Sequence, residues 1–207
     1  MKTKQIIYVT LFFFFQYINA QTSTLEKINL GNWAYIYLPE SMEVQSGTYK
    51  ETLDNAKKEF SVNAERIVFQ QKGLNNGENM QTYARVIIRT DSNNETFPNL
   101  NSYKITPAEL SDLNKIYREQ VYEAANNPKY PAKIISWNFL KINTLNGEKC
   151  INYSYTRKMG DNPETYSEFY IFWKGKKQHT VNIEYRINET YKWKKVLENC
   201  VNSLILK

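Results

Sequence analysis

The chain has 207 residues, with 27 Lys and Arg against 21 Asp and Glu, a net +6 and mean hydropathy of −0.62. That is long enough for one domain with a sizeable core, and too mildly basic for a nucleic-acid-binding surface. One histidine and two cysteines cannot supply the three or four clustered ligands of a zinc centre.

At the N-terminus, Lys2 and Lys4 precede an apolar run from Ile6 to Phe15, and a short polar stretch ends at Ala20. This is the layout of a cleavable secretory signal over residues 1–20, and the apolar run is too short to span a bilayer. Cleavage near Ala20 leaves residues 21–207 as a single domain, exported to the periplasm or beyond, with no stable membrane anchor. It also removes two basic residues and no acid, leaving 25 basic against 21 acidic residues, a net +4. Basic bursts such as Lys174–Lys177 and Lys192–Lys195 read as solvated surface.

Strand-like runs follow. Trp33–Leu38 alternates and stops at Pro39. Met42–Tyr49 reads as an edge strand, and Arg66–Gln70 and Thr82–Arg89 as two more. The Asn-rich segments Leu74–Asn79 and Asp91–Ser102 read as surface loops. The period then changes. Thr106-Pro107-Ala108-Glu109 predicts a helix start with a capping box and Pro at the first helical position. Leu110, Leu113, Tyr117, Val121 and Ala124 give that helix one apolar stripe, and Asn126-Asn127-Pro128 ends it.

Ile134–Ile142 and Lys149–Arg157 flank Asn146-Gly147, a strong hairpin signal, because both turn residues tolerate positive φ. Thr165–Trp173 and Gln178–Ile187 form a second hairpin around Gly175. Asn188 or Thr190 is placed to cap a last helix striped by Trp193, Val196, Leu197, Cys200, Val201 and Leu204. The sum is an α+β sandwich: a mainly antiparallel sheet of about six to eight strands, flanked by two main helices.

This order resembles the PsbP-like superfamily. The resemblance lies in the strand ending Leu38-Pro39-Glu40, the helix opening Thr106-Pro107-Ala108-Glu109-Leu110, the turn Leu145-Asn146-Gly147, and the closing strand Val181–Arg186 that feeds the terminal helix. The superfamily includes the extrinsic photosystem subunit and a nuclear-import factor that binds a small GTPase. The resemblance implies a non-enzymatic binding or accessory protein. None of the photosystem subunit's ion-binding residues matches a position here.

Sites of chemistry are few. There is no G-x-S-x-G, H-E-x-x-H or phosphate-cradling loop. His179 with Cys150 or Cys200 is a conceivable thiol dyad, set against a structural histidine and two inert thiols. In an exported chain Cys150 and Cys200 are also permitted a disulfide. Glu164 with Glu168 is an acid pair of the common, unspecific kind.

The sharpest candidate is a Tyr/Arg set on strands: Tyr83, Arg85 and Arg89 on one, Tyr153, Tyr155 and Arg157 on another, Tyr185 and Arg186 on a third. Rigid amphipathic rings beside guanidinium groups suit a binding face, though the same residues also serve ordinary sheet packing. The tryptophans Trp33, Trp137, Trp173 and Trp193 read as core. The expectation is an exported, non-catalytic binding or accessory protein without a cofactor, whose partner is another envelope or extracellular protein. The alternative is a module that binds carbohydrate or cell-wall polymer.

Overall fold

A computed structural model describes residues 25–46, 65–78 and 82–207. The predicted signal, and the end of the run Met42–Tyr49, lie outside the described residues.

Among the described residues ten strands form two antiparallel sheets, with two long helices. The strands are β1 (Leu25–Leu30), β2 (Ala34–Pro39), β3 (Met42–Val44), β4 (Glu65–Gln71), β5 (Ala84–Ser92), β6 (Lys133–Leu145), β7 (Glu148–Lys158), β8 (Thr165–Lys174), β9 (Lys177–Arg186) and β10 (Ile205–Leu206). The helices are α1 (Pro107–Ala125) and α2 (Thr190–Asn202). The large sheet runs β3-β4-β5-β9-β8-β7-β6, and a small one runs β1-β2-β10. The fold class is the α+β architecture expected. The sequence pattern had not separated the small sheet from the large one.

Alternation along the strands gives the large sheet two different faces. On one face Ala84, Val86 and Ile88 of β5, Tyr170 and Phe172 of β8, and Val181 and Ile183 of β9 form the main core. The small sheet covers it with Leu30, Ala34, Ile36 and Leu38, and α2 with its predicted stripe Trp193, Leu197, Cys200 and Val201. The other face carries a second core of Ile151, Tyr153, Tyr155, Ile171 and Leu140, under α1.

The capping box of α1 is present: Glu109 N–H donates to Thr106 Oγ1 at 3.3 Å, and Thr106 N–H to Glu109 Oε2 at 2.8 Å. Helix α2 differs from expectation. Neither Asn188 nor Thr190 caps it. A 3₁₀ turn, Ile187–Glu189, leads in, and Thr190 Oγ1 donates back to the Ile187 carbonyl at 2.6 Å. Tightening that last connection satisfies the local backbone without a side-chain cap. In the β6–β7 turn, Asn146 has φ 51° and Gly147 φ 84°, as a two-residue hairpin demands. The Asn146 amide also donates to the carbonyls of Asn202 and Leu204, tying the turn to the end of α2.

Asn114 docks α1 onto the sheet. The β6–β7 register slips between Asn138 and Lys141, which takes the Leu140 N–H out of the ladder. Asn114 Oδ1 accepts that N–H and Trp137 Nε1–H, both at 3.0 Å. Replacing Asn114 with Ala strands both donors. The expected loss is about 2 kcal/mol, read as a melting point roughly 4–8 °C lower in a chain of this size. An unchanged melting point would refute the docking role.

Candidate functional site

Helix α1 packs on β6, and β4, β5 and β9 lie beyond it on the same side of the large sheet. The register sets out the side chains there in rows. Arg66, Arg89, Thr180 and Ile171 form one row. Val68, Ile87, Asn182, Phe169 and Tyr153 form the next, and Gln70, Arg85, Glu184, Ser167 and Tyr155 the third.

A groove opens between α1 and this surface. It has two adjoining lobes, of about 350 and 500 Å³, which share Arg89, Gln120, Tyr153 and Phe169. Arg66, Ile87, Thr180 and Asn182 complete the first lobe. Val121, Ala124, Ile134, Tyr155 and Arg157 belong to the second. Gln178 pins one end, accepting from Tyr117 Oη of α1 at 3.1 Å and from Trp173 Nε1 at 3.2 Å.

An aromatic stack crosses the sheet beneath α1. Trp137 stacks on Tyr153 at 5.2 Å, and Tyr153 on Phe169 at 4.7 Å with the planes 5° apart. Tyr153 and Tyr155 are buried in this stack. They form the floor of the groove and part of the core at once. Phe169 is half-buried and ends the stack, so its outer face turns toward Asn182 and the first lobe.

Beside the groove lies a buried ion pair. Glu184 accepts from Tyr83 Oη at 2.5 Å, Ser167 Oγ at 3.1 Å, Asn182 Nδ2 at 3.2 Å and Arg157 Nη2 at 3.2 Å. Burial alone would raise the Glu184 pKa. The Arg157 charge and the donated hydrogen bonds outweigh it and hold the carboxyl below its ordinary value. The Tyr83 hydroxyl is pushed up, by burial first and by Glu184 second. The Arg85 guanidinium lies over the Tyr83 ring, 4.8 Å from its centroid.

Seven of the eight predicted residues therefore share one face: Tyr83, Arg85, Arg89, Tyr153, Tyr155, Arg157 and Arg186. Tyr185 does not. It alternates to the opposite face, where it sits in the main core with its ring 5.2 Å from Tyr166. Arg186 follows Glu184 on the groove side, but at the strand's end, and it lines neither lobe. The pattern missed Arg66, Phe169, Thr180, Asn182 and Glu184. Their signal is alternation along β4, β8 and β9, which becomes readable only once the pairing of β4, β5 and β9 is known.

The thiols lie elsewhere. Cys150 and Cys200 are free and buried in the main core. Burial, helped at Cys150 by Glu168, pushes both thiols up to about 12. His179 is buried in stacking contact with Trp33, the rings 3.9 Å apart and 11° from parallel, and its Nδ1 is 2.9 Å from Thr90 Oγ1. Burial, with Lys177 and Lys174, lowers its pKa to about 4. A thiolate–imidazolium pair needs both shifts reversed. Among the described residues no three His, Cys, Asp or Glu side chains are placed to hold a metal ion, and no helix is long and apolar enough to cross a membrane.

No family model and no curated protein sequence matches this chain. Among solved structures, the chain is similar to cyanobacterial PsbP (CyanoP) from Synechocystis sp. PCC 6803. The identity is 13% and the TM-score 0.49, over 91% of this chain and 96% of that one. A crystal structure of a Bacteroides thetaiotaomicron VPI-5482 protein has 9% identity and a TM-score of 0.42. That similarity covers 84% of this chain but only 45% of the other. Both concern the fold alone, and no residue is carried across from either.

Proposed function

We propose that this chain is an exported, non-catalytic binding protein of the cell envelope, and that it holds its ligand in the groove between α1 and strands β4, β5 and β9. The observation that supports this reading is the groove itself: concave, two-lobed, and lined by rings, amides and guanidinium groups together. Such a mixture of apolar floor and a few convergent polar groups is the usual make-up of a ligand site. The shape favours a glycan or cell-wall polymer segment over a flat protein surface. The predicted signal supports export, and the protonated thiols and low-pKa histidine support action by contact rather than bond-making.

The test is a glycan and peptidoglycan-fragment array probed with three proteins: wild type, Gln120→Trp and Tyr191→Ala. Gln120 is exposed at the groove mouth, and an indole there blocks entry. Tyr191 is 88% exposed on α2, away from the groove. Binding by wild type and Tyr191→Ala, but not by Gln120→Trp, is expected. Binding unaffected by Gln120→Trp would place the ligand elsewhere.

A protein partner is the second reading. It is favoured by β6, the edge strand beside β7 in the large sheet of the described residues, which exposes Ile135 and Phe139. Loss of partner capture with Phe139→Lys, but not with Gln120→Trp, would select it.

A further inference from the structure

Among the described residues, charge at the groove is unbalanced. Arg66 and Arg89 stand directly opposite each other on β4 and β5, and like charges so placed repel. Among the described residues Arg89 is paired only to Asp91, 2.7 Å away and partly exposed at the strand's end. Arg66 makes no ion pair among the described residues, and Arg85 lies two rows and Arg157 three rows further along the face. The one buried carboxylate nearby among the described residues, Glu184, is already shared among four donors. Burial lowers the Arg66 pKa. Glu184 opposes that shift, while the Arg85 and Arg89 charges add to it. Among the described residues no carboxylate stands between Arg66 and Arg89, a place that suits an anion.

The neighbouring positions narrow the ligand further. Thr180 stands next to Arg89 in its row, and Asn182 next to Phe169. Both residues are more than nine-tenths buried, and Thr180 Oγ1 and Asn182 Oδ1 have no hydrogen-bond partner. Unmatched buried oxygens are a standing cost, which donors on a ligand would remove. The outer face of Phe169 is the next position of the aromatic stack and is open to a ring.

We infer that the first lobe takes a sugar acid. Its carboxylate lies between Arg66 and Arg89, its ring lies on Phe169, and its hydroxyls donate toward Thr180 and Asn182. This rests on the groove being the ligand site, as proposed above. A carboxylate held by two guanidinium groups forms charge-assisted hydrogen bonds, the strong class. The lobe, at about 350 Å³, has room for one such residue of a polymer or for a free monosaccharide acid.

The test is an amide NMR titration of the protein with four probes at equal ionic strength: sodium D-glucuronate, D-glucose, sodium benzoate and inorganic phosphate. Glucuronate is expected to shift Arg66, Arg89, Phe169, Thr180 and Asn182, with a Kd at least tenfold below those of the other three. Arg66→Gln and Arg89→Gln are each expected to weaken glucuronate about tenfold or more, the size of one charge-assisted contact, and to leave glucose unchanged. Arg89 is exposed and Arg66 half-buried, and an unchanged spectrum elsewhere separates lost binding from lost folding.

Glucose binding as tightly as glucuronate, at these residues, would overturn the acidic ligand and leave the glycan groove standing. Benzoate binding equally well would overturn the hydroxylated ring, and phosphate binding equally well would reduce the site to a simple anion pocket. No groove shift with any probe, joined to array binding that ignores Gln120→Trp, would remove both this inference and the reading beneath it.

Discussion

Replacing Glu184 with Ala is expected to lower the unfolding free energy by about 3–5 kcal/mol, the range for breaking one half of a buried ion pair. The carboxylate is 4% exposed and receives four hydrogen bonds from three strands and the segment before β5. Removing it strands the Arg157 guanidinium, 29% exposed at the side chain, and leaves the Tyr83, Ser167 and Asn182 donors unanswered. The melting point should fall by on the order of 10 °C or more in a chain of this size. Glu184→Gln keeps the volume and one acceptor but not the charge, so it should lie between Ala and wild type. Chemical denaturation of the three proteins at pH 7 decides the matter. A loss below about 1 kcal/mol for Ala would mean that water enters and solvates Arg157. A Gln variant as stable as wild type would mean that the charge contributes nothing.

Glu184 also shows where reading the sequence succeeds and where it stops. The two hairpins and α1 are local objects. Asn146-Gly147 fixes the β6–β7 turn, and Thr106 with Glu109 fixes the start of the helix, each through contacts within a few residues. Seven Tyr and Arg residues of the candidate face were legible for the same reason: parity along one strand needs no knowledge of its neighbours. Tyr185 was misplaced because adjacent residues cannot share a face. Once Tyr153 and Tyr155 look toward α1, the pairing puts Glu184 there and Tyr185 behind it.

The groove itself was not legible. It depends on β5 pairing with β9 across some ninety residues of chain, which brings Arg89 beside Thr180 and Ile87 beside Asn182. A polar residue within a strand reads as solvent-facing unless that pairing is known. The small sheet was missed on the same ground. β10 is two residues long and exists only because β2 is there to receive it.

The second large effect is on stability against acid, and its sign follows from burial of His179. The unfolded chain takes up a proton on this residue near pH 6.5, whereas the folded chain resists until about pH 4. Above 6.5 both states are neutral there, and the residue adds no pH dependence. Between 6.5 and 4 the unfolded state holds more protons, so stability falls as pH falls, by up to about 1.4 kcal/mol per pH unit. The full penalty below that window is about 3 kcal/mol. The cause is structural: the ring is 2% exposed, stacks on Trp33, meets Thr90 Oγ1, and has the charges of Lys177 and Lys174 nearby.

Glu184 acts in a lower window. Its carboxyl, held below the ordinary value, contributes stability above the unfolded carboxylate range and loses it only as pH drops through that range and beyond. The two effects therefore separate on the pH axis. His179→Phe should keep the stack on Trp33 at the cost of the Thr90 contact, and should flatten stability between pH 6.5 and 4 while leaving the steeper loss below it. Urea denaturation of wild type and His179→Phe at pH 7.5, 5.5 and 4.5 measures the difference directly. Equal slopes in the two proteins across that interval would show that water or a shift of the small sheet lets the imidazole charge in place, and that the Trp33 lid does not keep its surroundings dry.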